Sequence, residues 1–536
     1  MRKSDILIVL IDVILIGLFY FFGLPPLNLS SPAFWYFIFN IGIIIFVSLL
    51  LRNNIEMFTN RYFDYRKLMV YKYFIIGFSA IFLVIGLINI FCSPFFNAKE
   101  YSERINVNDT HNFIDDVTEA DFSKIPLIDE ASSRKLGDRK MGEFTSWVSQ
   151  FYVSDLYTQI NYNNEIVRVT PLEYDGIIKY FTNHKTGIKG YIKVNSVDGS
   201  ASLVELENGM KYMPSAIFFE DLNRKLRFTY PTTIFDEASF EIDNEGNPYW
   251  IVPTVSYKGV GMKKEITGVV ILDPITGKSE KYRLEDVPSW VDHVFSASLI
   301  IEQIDNWGEY RNGFLNSIFG QKDVINTTTG YNYIILGDDV YLYTGITSVV
   351  SDESNLGFVL VNMRTKETNY YLVPGAEEYS AMASAEGLVQ EKKYTASFPL
   401  LINLKGTPTY LLSLKDNAGL VKMYAFIDVA DYQKVVVSDA SLGIEVAKEK
   451  YLAEYSKTPT GAELKKDIVI ASISSAVIDS NTYFYITSKD NEQFMASIKT
   501  NKYLLPFVKV GDKIRITYNE GEISTISKVE MSKNNE

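Results

Sequence analysis

The chain has 536 residues, 47% of them apolar and 14% aromatic, with a formal net charge of −13. That length exceeds one ordinary domain, and the composition excludes a disordered chain. Seven Lys/Arg against four Asp/Glu in residues 1–96 leave the remainder at −16, a balance that phosphate backbones repel, so nucleic acid is set aside as a partner.

Three apolar spans come first: Ile6–Leu24, Ala33–Leu51 and Tyr73–Phe91, each about 19 residues. A helix needs ~20 such residues to cross the hydrocarbon. The first span has no small-residue cleavage site and two more follow, so it is not read as a signal peptide. Arg2 and Lys3 precede the first span, and Arg52, Arg61, Arg66 and Lys67 lie between the second and third. The loop Pro25–Pro32 is uncharged. Basic flanks stay inside. The expectation is a bacterial cytoplasmic membrane protein, N-terminus inside, with a three-helix anchor over 1–96 and everything after Ser93 outside.

Asp12 lies in the first span, with Ser48 and Ser79 at similar depth on the other two. A carboxylate in hydrocarbon needs a partner or a proton. Two readings stay open: an interhelical hydrogen bond that fixes packing, or a polar contact with a membrane partner. Cys92 is the single cysteine, so no intramolecular disulfide exists. An exported domain without disulfides fits a bacterium with one membrane. The residues Asn89-Ile90-Phe91 are too large for a lipoprotein-type cleavage site, and Cys92 reads as inert.

Residues 97–150 read as a solvated stalk and an entry helix. Asn97–Lys140 is rich in Asp, Glu, Lys and Ser, and Met141–Tyr152 places Phe144, Trp147, Val148 and Phe151 at helical spacing. A first α+β module follows over 151–238. Its hairpin turns at Asn163-Asn164-Glu165, and a helix is expected over Pro171–Asn183, with Leu172, Ile177, Ile178 and Phe181 on one side.

From 239 to 460 one pattern recurs three times: hairpin, loop, hairpin, helix. The openings are Phe240–Val252, Tyr331–Gly345 and Phe398–Leu414. The second hairpins are Gly268–Leu284, Gly357–Val373 and Val421–Val437. The helices are expected over Glu285–Ile304, from Pro374 to about Val389, and from Asp439 to about Tyr455. Recurrence of one supersecondary unit predicts small modules stacked side by side over a shared core. Residues 464–536 hold five strand-length segments and read as a small barrel of OB type. The fold class is therefore α+β, with N-terminal transmembrane helices, repeated hairpin-hairpin-helix modules and an OB-like C-terminal barrel.

The stretch Gly268–Lys278, GVVILDPITGK, resembles the hairpin of bacterial PepSY-type domains, which carry a similar Asp-Pro-Xaa-Thr-Gly turn. The turn is also sound local chemistry, since Pro274 presets φ and Gly277 accepts a positive φ. The layout as a whole is similar to Gram-positive envelope proteins that join a helical anchor to such hairpins and a small barrel. The resemblance implies modules outside the membrane that hold or inhibit a partner.

No catalytic motif is found. His111, His184 and His293 share no metal-ligand spacing, no nucleophile elbow occurs, and no dinucleotide or phosphate-loop glycine pattern is present. No cofactor, metal or catalytic residue is assigned. Trp290 and His293 would share one side of the expected helix over 285–304. Trp307, Tyr310 and Phe314 crowd a glycine-punctuated stretch. These five form the candidate binding surface, against the plainer reading of helix packing and a lid over the core. The leading expectation is a non-enzymatic, membrane-anchored protein that binds or restrains an envelope protein. The alternatives are a cell-wall or carbohydrate-acting protein with a carboxylate-lined groove, for which a glycan would be the partner, and a membrane scaffold acting through Asp12.

Overall fold

A computed structural model describes residues 3–60, 65–108, 112–349, 351–455, 464–478, 481–519 and 522–528. His111 lies outside them. The chain divides into two units, Met1–Lys450 and Tyr451–Glu536.

Three helices open the first unit: α1 (Lys3–Gly23), α2 (Pro32–Asn60) and α3 (Tyr65–Cys92). Each contains a stretch long and apolar enough to cross a membrane: Ile6–Gly23, Pro32–Leu51 and Met69–Cys92. None of the α1 or α3 stretch is buried. A helix apolar all round and uncovered by protein is suited to lipid. α1 stops where Leu24 takes φ 47° and Pro25-Pro26 follow, since neither can continue a helix. A short helix, α4 (Pro94–Ser102), turns off the end of α3 with Pro94 in its first turn.

The segment after it is not a solvated stalk. β1 (Val107–Asn108) pairs parallel with a later strand, and α5 (Phe113–Asp116) sets the buried Phe113 ring against Tyr371 at 5.8 Å. Glu119 bridges Asn403, Phe122 meets Phe426 at 5.8 Å, and the amide of Ile128 donates to the carbonyl of Ser196 at 2.9 Å. The segment laces over three sheets. Its buried apolar residues are spaced singly among polar ones, so its composition looks solvated while every few residues a side chain is driven into the core. α6 (Glu130–Gly142) and α7 (Thr145–Val148) complete it. The expected helix over 141–152 is cut short, because Phe151–Val153 leaves it as a strand.

Four sheets follow, antiparallel throughout except where β1 joins the third. Sheet 1 has β2 (Phe151–Val153), β3 (Thr158–Tyr162), β4 (Glu165–Tyr174), β5 (Ile188–Asn195) and β6 (Ala201–Met210) in the order β2-β4-β5-β6, with β3 beside β4. Asn163 and Asn164, at φ 51° and 65°, form the tight turn between β3 and β4. Pro171 lies within β4, so the expected helix shrinks to α8 (Ile177–Asn183). α9 (Leu222–Thr229) follows sheet 1.

Sheet 2 has β7 (Ile234–Phe235), β8 (Ser239–Ile242), β9 (Pro248–Lys258), β10 (Met262–Leu272) and β11 (Ser279–Arg283), ordered β11-β10-β9-β7 with β8 beside β9. Alternation along its strands buries both faces. Trp250, Val252, Val270 and Leu272 join the core of sheet 1, while Ile251, Val269 and Ile271 face α10 (Ala297–Tyr310) and sheet 3. Sheet 3 contains β12 (Ile325–Thr327), β13 (Asn332–Leu336), β14 (Asp339–Ser348), β15 (Ser351–Asn362), β16 (Thr368–Tyr371) and β17 (Gly375–Ala376), with β1 added outside β16. α11 (Glu378–Leu388) leads to sheet 4: β18 (Thr395–Ala396), β19 (Leu400–Leu404), β20 (Thr407–Lys415), β21 (Val421–Asp428) and β22 (Val435–Asp439). α12 (Ile444–Tyr455) ends the run. In each sheet the first long strand carries two short strands end to end on one edge and a long strand on the other.

The expected helix over 285–304 begins only at Ala297. The reason is local. The amides of Asp292 and His293 donate to the Glu241 carboxylate, at 2.8 and 3.1 Å, and those of Val294 and Phe295 to the carbonyl of Met363. Those donors are engaged outside any helix, and Pro288 breaks the preceding turn. Trp290 and His293 therefore sit on a loop.

The second unit is a closed barrel of β23 (Leu464–Ile478), β24 (Asn481–Ser488), β25 (Gln493–Ser497), β26 (Lys513–Asn519) and β27 (Glu522–Lys528), ordered β23-β24-β25-β27-β26 and back to β23. Among the described residues, β25 and β27 are the one pair in the barrel that runs parallel. Its core is mostly isoleucine, from Ile468 to Ile526.

Candidate functional site

A cavity of about 340 Å³ opens where sheets 1, 3 and 4 meet. Three edge strands line it. Asn161, Asn164 and Ile166 come from the β3–β4 hairpin, Ile334 to Gly337 from β13 and its turn, and Leu400 to Asn403 from β19. Among the described residues, β3, β13 and β19 each have a partner strand on one side only. The laced segment 116–126 forms the fourth wall. It is held there by the Ala120 amide on the Asn403 carbonyl, 2.9 Å, and by Asn403 Nδ2 on the Val117 carbonyl, 2.7 Å.

The walls are apolar and the rim is acidic. Val117, Ile125, Ile166, Ile334, Leu400 and Ile402 are buried. Asp116, Glu119 and Asp121 are exposed at the rim, with Lys124 the one basic residue among those lining the cavity. The hydroxyl and amide of Ser123 donate to Asp121 and hold its carboxyl below the usual range, so it is ionised at neutral pH. Apolar walls with strand edges and a negative mouth suit an extended segment that carries apolar and basic side chains.

The five residues expected to form a binding surface fall into two groups. Trp290 lies on Tyr249, ring centroids 5.1 Å apart, and the His293 ring nitrogen Nε2 pairs with the Gln159 carbonyl at 2.7 Å, edge-on to Tyr333. Trp307 packs on Tyr370 at 5.9 Å, and Tyr310 stacks on Phe314 at 6.2 Å. Phe314 meets Phe95, just past the end of α3, at 5.4 Å. None of the five lines the cavity.

In the anchor, Ser48 Oγ donates to Asp12 Oδ1 at 2.6 Å, joining α2 to α1. Ser79 is exposed on α3 and has no part in this bond. Ser48→Ala should cost about 1 kcal/mol of helix association, the scale of such bonds in bilayers. Unfolding of the intact chain by titrated SDS reads it, and an unchanged midpoint would mean the bond is not made.

Two deeply buried acids stand behind the cavity wall without lining it. Glu241 on β8 is buried and accepts from Ser239 Oγ, 3.0 Å, and from the amides of Asp292 and His293. Asp292, also buried, accepts from the Asn161 amide at 2.7 Å. Burial raises both carboxyls, and the neighbouring Glu241 charge raises Asp292 further. This pair of acids joins backbone segments, and neither acid lines the cavity.

Glu173 on β4 is buried and accepts from the amide and hydroxyl of Ser215, and burial pushes it up to about 7. Its folded value exceeds its unfolded one. Between the two the native state holds a proton that the unfolded chain has released, so stability falls as pH rises through this window. From pH 5 to 8 the loss should be about 2.5 kcal/mol. Glu173→Gln should flatten the slope and melt higher than the parent at pH 8. Thermal midpoints in detergent at the two pH values check this, and an equal slope in both proteins would refute it.

The cavity residues escape sequence reasoning because four separate segments supply them. The one available signal is the acid run Asp115, Asp116, Glu119, Asp121 inside a stretch read as stalk.

No family model matches the chain, and no curated protein matches it. Among solved structures, the Bacillus megaterium YpeB C-terminal domain aligns with 44% of this chain and 99% of its own, at 12% identity and a TM-score of 0.10. A likeness at that score carries no argument about function.

Proposed function

We propose that this is a membrane-anchored protein that holds an extended segment of another envelope protein in the cavity between sheets 1, 3 and 4. The observation behind this reading is the meeting of three strand edges around apolar walls with an acidic mouth. A strand added to one of those edges would gain main-chain hydrogen bonds, and its alternate side chains would fill the apolar floor. Basic side chains on the bound segment would face Asp116, Glu119 and Asp121.

The cationic flanks of the helices support an inside N-terminus, with the β-rich part outside a bacterial cytoplasmic membrane. We read the common plan of the four sheets as one unit used four times, one more than the sequence alone suggests. The barrel order, with its single parallel pair between third and fifth strands, supports the OB-like reading.

A benzophenone amino acid at Ile402, in living cells, should crosslink to one envelope protein. Glu119→Lys with Asp121→Lys should cut that adduct about tenfold, since like charges at a rim oppose a basic segment. No adduct, or one indifferent to the charge reversal, would defeat the reading.

A further inference from the structure

Two exposed apolar ledges sit at the ends of α1 and α3 that adjoin the β-rich part. Neither belongs to the cavity. The first begins at Phe21, in the last turn of α1. Its ring meets Phe219 at 6.0 Å and Phe228 at 6.3 Å, and Arg224 Nε donates to its carbonyl at 3.3 Å. Phe21 precedes the end of α1 by two residues, about 3 Å at 1.5 Å per residue. The rings that touch it are therefore level with the last turn of an apolar span. Phe218, Phe219 and Phe228 are nevertheless exposed. α8 extends the ledge. Tyr180 Oη donates to the Ile217 carbonyl at 3.1 Å and to Glu220 at 2.8 Å, which fixes α8 beside this turn. On its free side α8 exposes Ile177, Ile178 and Phe181, with Ile178 78% exposed.

The second ledge repeats the arrangement at the end of α3. Phe91, inside the span, meets Phe96 at 5.3 Å, and Phe95 meets Phe314 at 5.4 Å. The turn that follows exposes Leu315, Ile318 and Phe319, the last 81% exposed. Exposed basic side chains flank both ledges, Lys185 and Lys189 at the first, Arg311 and Lys322 at the second. Large apolar side chains beside cations, at the height where spanning helices end, match the composition of a surface set into the headgroup layer.

We infer that both ledges lie in the interfacial layer of the bilayer crossed by α1–α3, so that the β-rich part rides on the membrane. This rests on the reading that the three helices span a membrane. The occupant is lipid, because the rings run without a break onto helices whose own apolar faces are uncovered. A protein covering them would have to share the bilayer.

Spin labels placed on the full chain, in a Cys92→Ala background and in vesicles of phosphatidylcholine with phosphatidylglycerol, test this. Labels at Ile178→Cys and Phe319→Cys should favour dissolved oxygen over a water-soluble nickel chelate by about tenfold relative to Leu442→Cys, an exposed control on the first unit. Ile14→Cys, at mid-span of α1 and itself exposed, should show the strongest preference of all. If Ile14→Cys is lipid-exposed while 178 and 319 behave like Leu442→Cys, the inference falls and the anchor stands. If 178 and 319 are shielded from both reagents, a protein covers them and the inference also falls. If Ile14→Cys itself is wet, the spanning reading fails and takes this one with it.

Discussion

Glu241→Ala is expected to destabilise the first unit by 3–5 kcal/mol, the scale of losing a buried charged acceptor. Two amides and a hydroxyl converge on this one carboxylate: the N–H groups of Asp292 and His293, and Ser239 Oγ. Removing it leaves all three without an acceptor at a fully buried position. The loop over 291–295 would lose its tie to sheet 2 and, through Asp292, its tie to the Asn161 amide of sheet 1. Hydrogen exchange at Asp292 and His293 should accelerate by roughly 10²-fold to 4 × 10³-fold, the equivalent of that loss at 1.4 kcal/mol per decade. Glu241→Gln keeps one accepting oxygen and should cost less. Equal effects from the two variants, or exchange unchanged in either, would remove the role assigned to the carboxylate.

Arg104→Ala should cost about 3 kcal/mol, by the logic that breaking a buried ion pair is expensive even where making it gained little. The Arg104 side chain is buried where α4 meets sheet 2 and α10. It donates to Glu265 at 3.0 Å, to Glu302 at 2.5 Å and to the Lys264 carbonyl at 2.6 Å. Its own carbonyl accepts from Lys366 Nζ of sheet 3 at 3.0 Å. Glu265 and Glu302 keep some contact with water, which holds the loss near the lower end of the range. Arg104→Met with Glu265→Gln restores volume and removes the more buried of the two charges left unpaired, Glu302 being half exposed, and should recover more than half of the loss. Chemical denaturation in detergent compares the three proteins, and a double variant no better than Arg104→Ala would refute the electrostatic account.

The anchor was legible because nearly every residue in each span is apolar, a signal that needs no partner to interpret. The hairpins were legible for a similar reason: alternation and turn residues such as Asn163-Asn164 act within a few positions. What failed needed distant partners. Helix formation at 285–296 lost to acceptors on Glu241 and Met363, residues about 50 to 75 positions away in sequence. The helix expected from Pro171 failed because the run from Ile166 to Tyr174 is buried continuously in sheet 1, and a short buried run does not announce its period. Ile177, Ile178 and Phe181 were read as one side of that helix, and the structure leaves all three exposed. The cavity was invisible for the same reason: its four wall segments are far apart in the chain, and nothing local to any of them shows that they meet. Trp290 and Trp307 stood out in sequence because tryptophan is rare, yet each serves as packing for a tyrosine.

The tip of the β9–β10 hairpin, Lys258 to Gly261, is wedged against the ends of α2 and α3. The Val260 amide donates to Asn89 Oδ1 at 2.8 Å, Asn89 Nδ2 returns a bond to the Val260 carbonyl at 2.9 Å, and the Gly261 amide donates to the Ser30 carbonyl at 3.0 Å. Side chains are barred there, since a Cβ on Gly261 would fall 2.4 Å from Pro32. A fragment severed after Cys92 would carry this tip with its acceptors gone and the Gly259 and Gly261 clefts empty. Cleavage between the anchor and the β-rich part would thus leave that part with a damaged module.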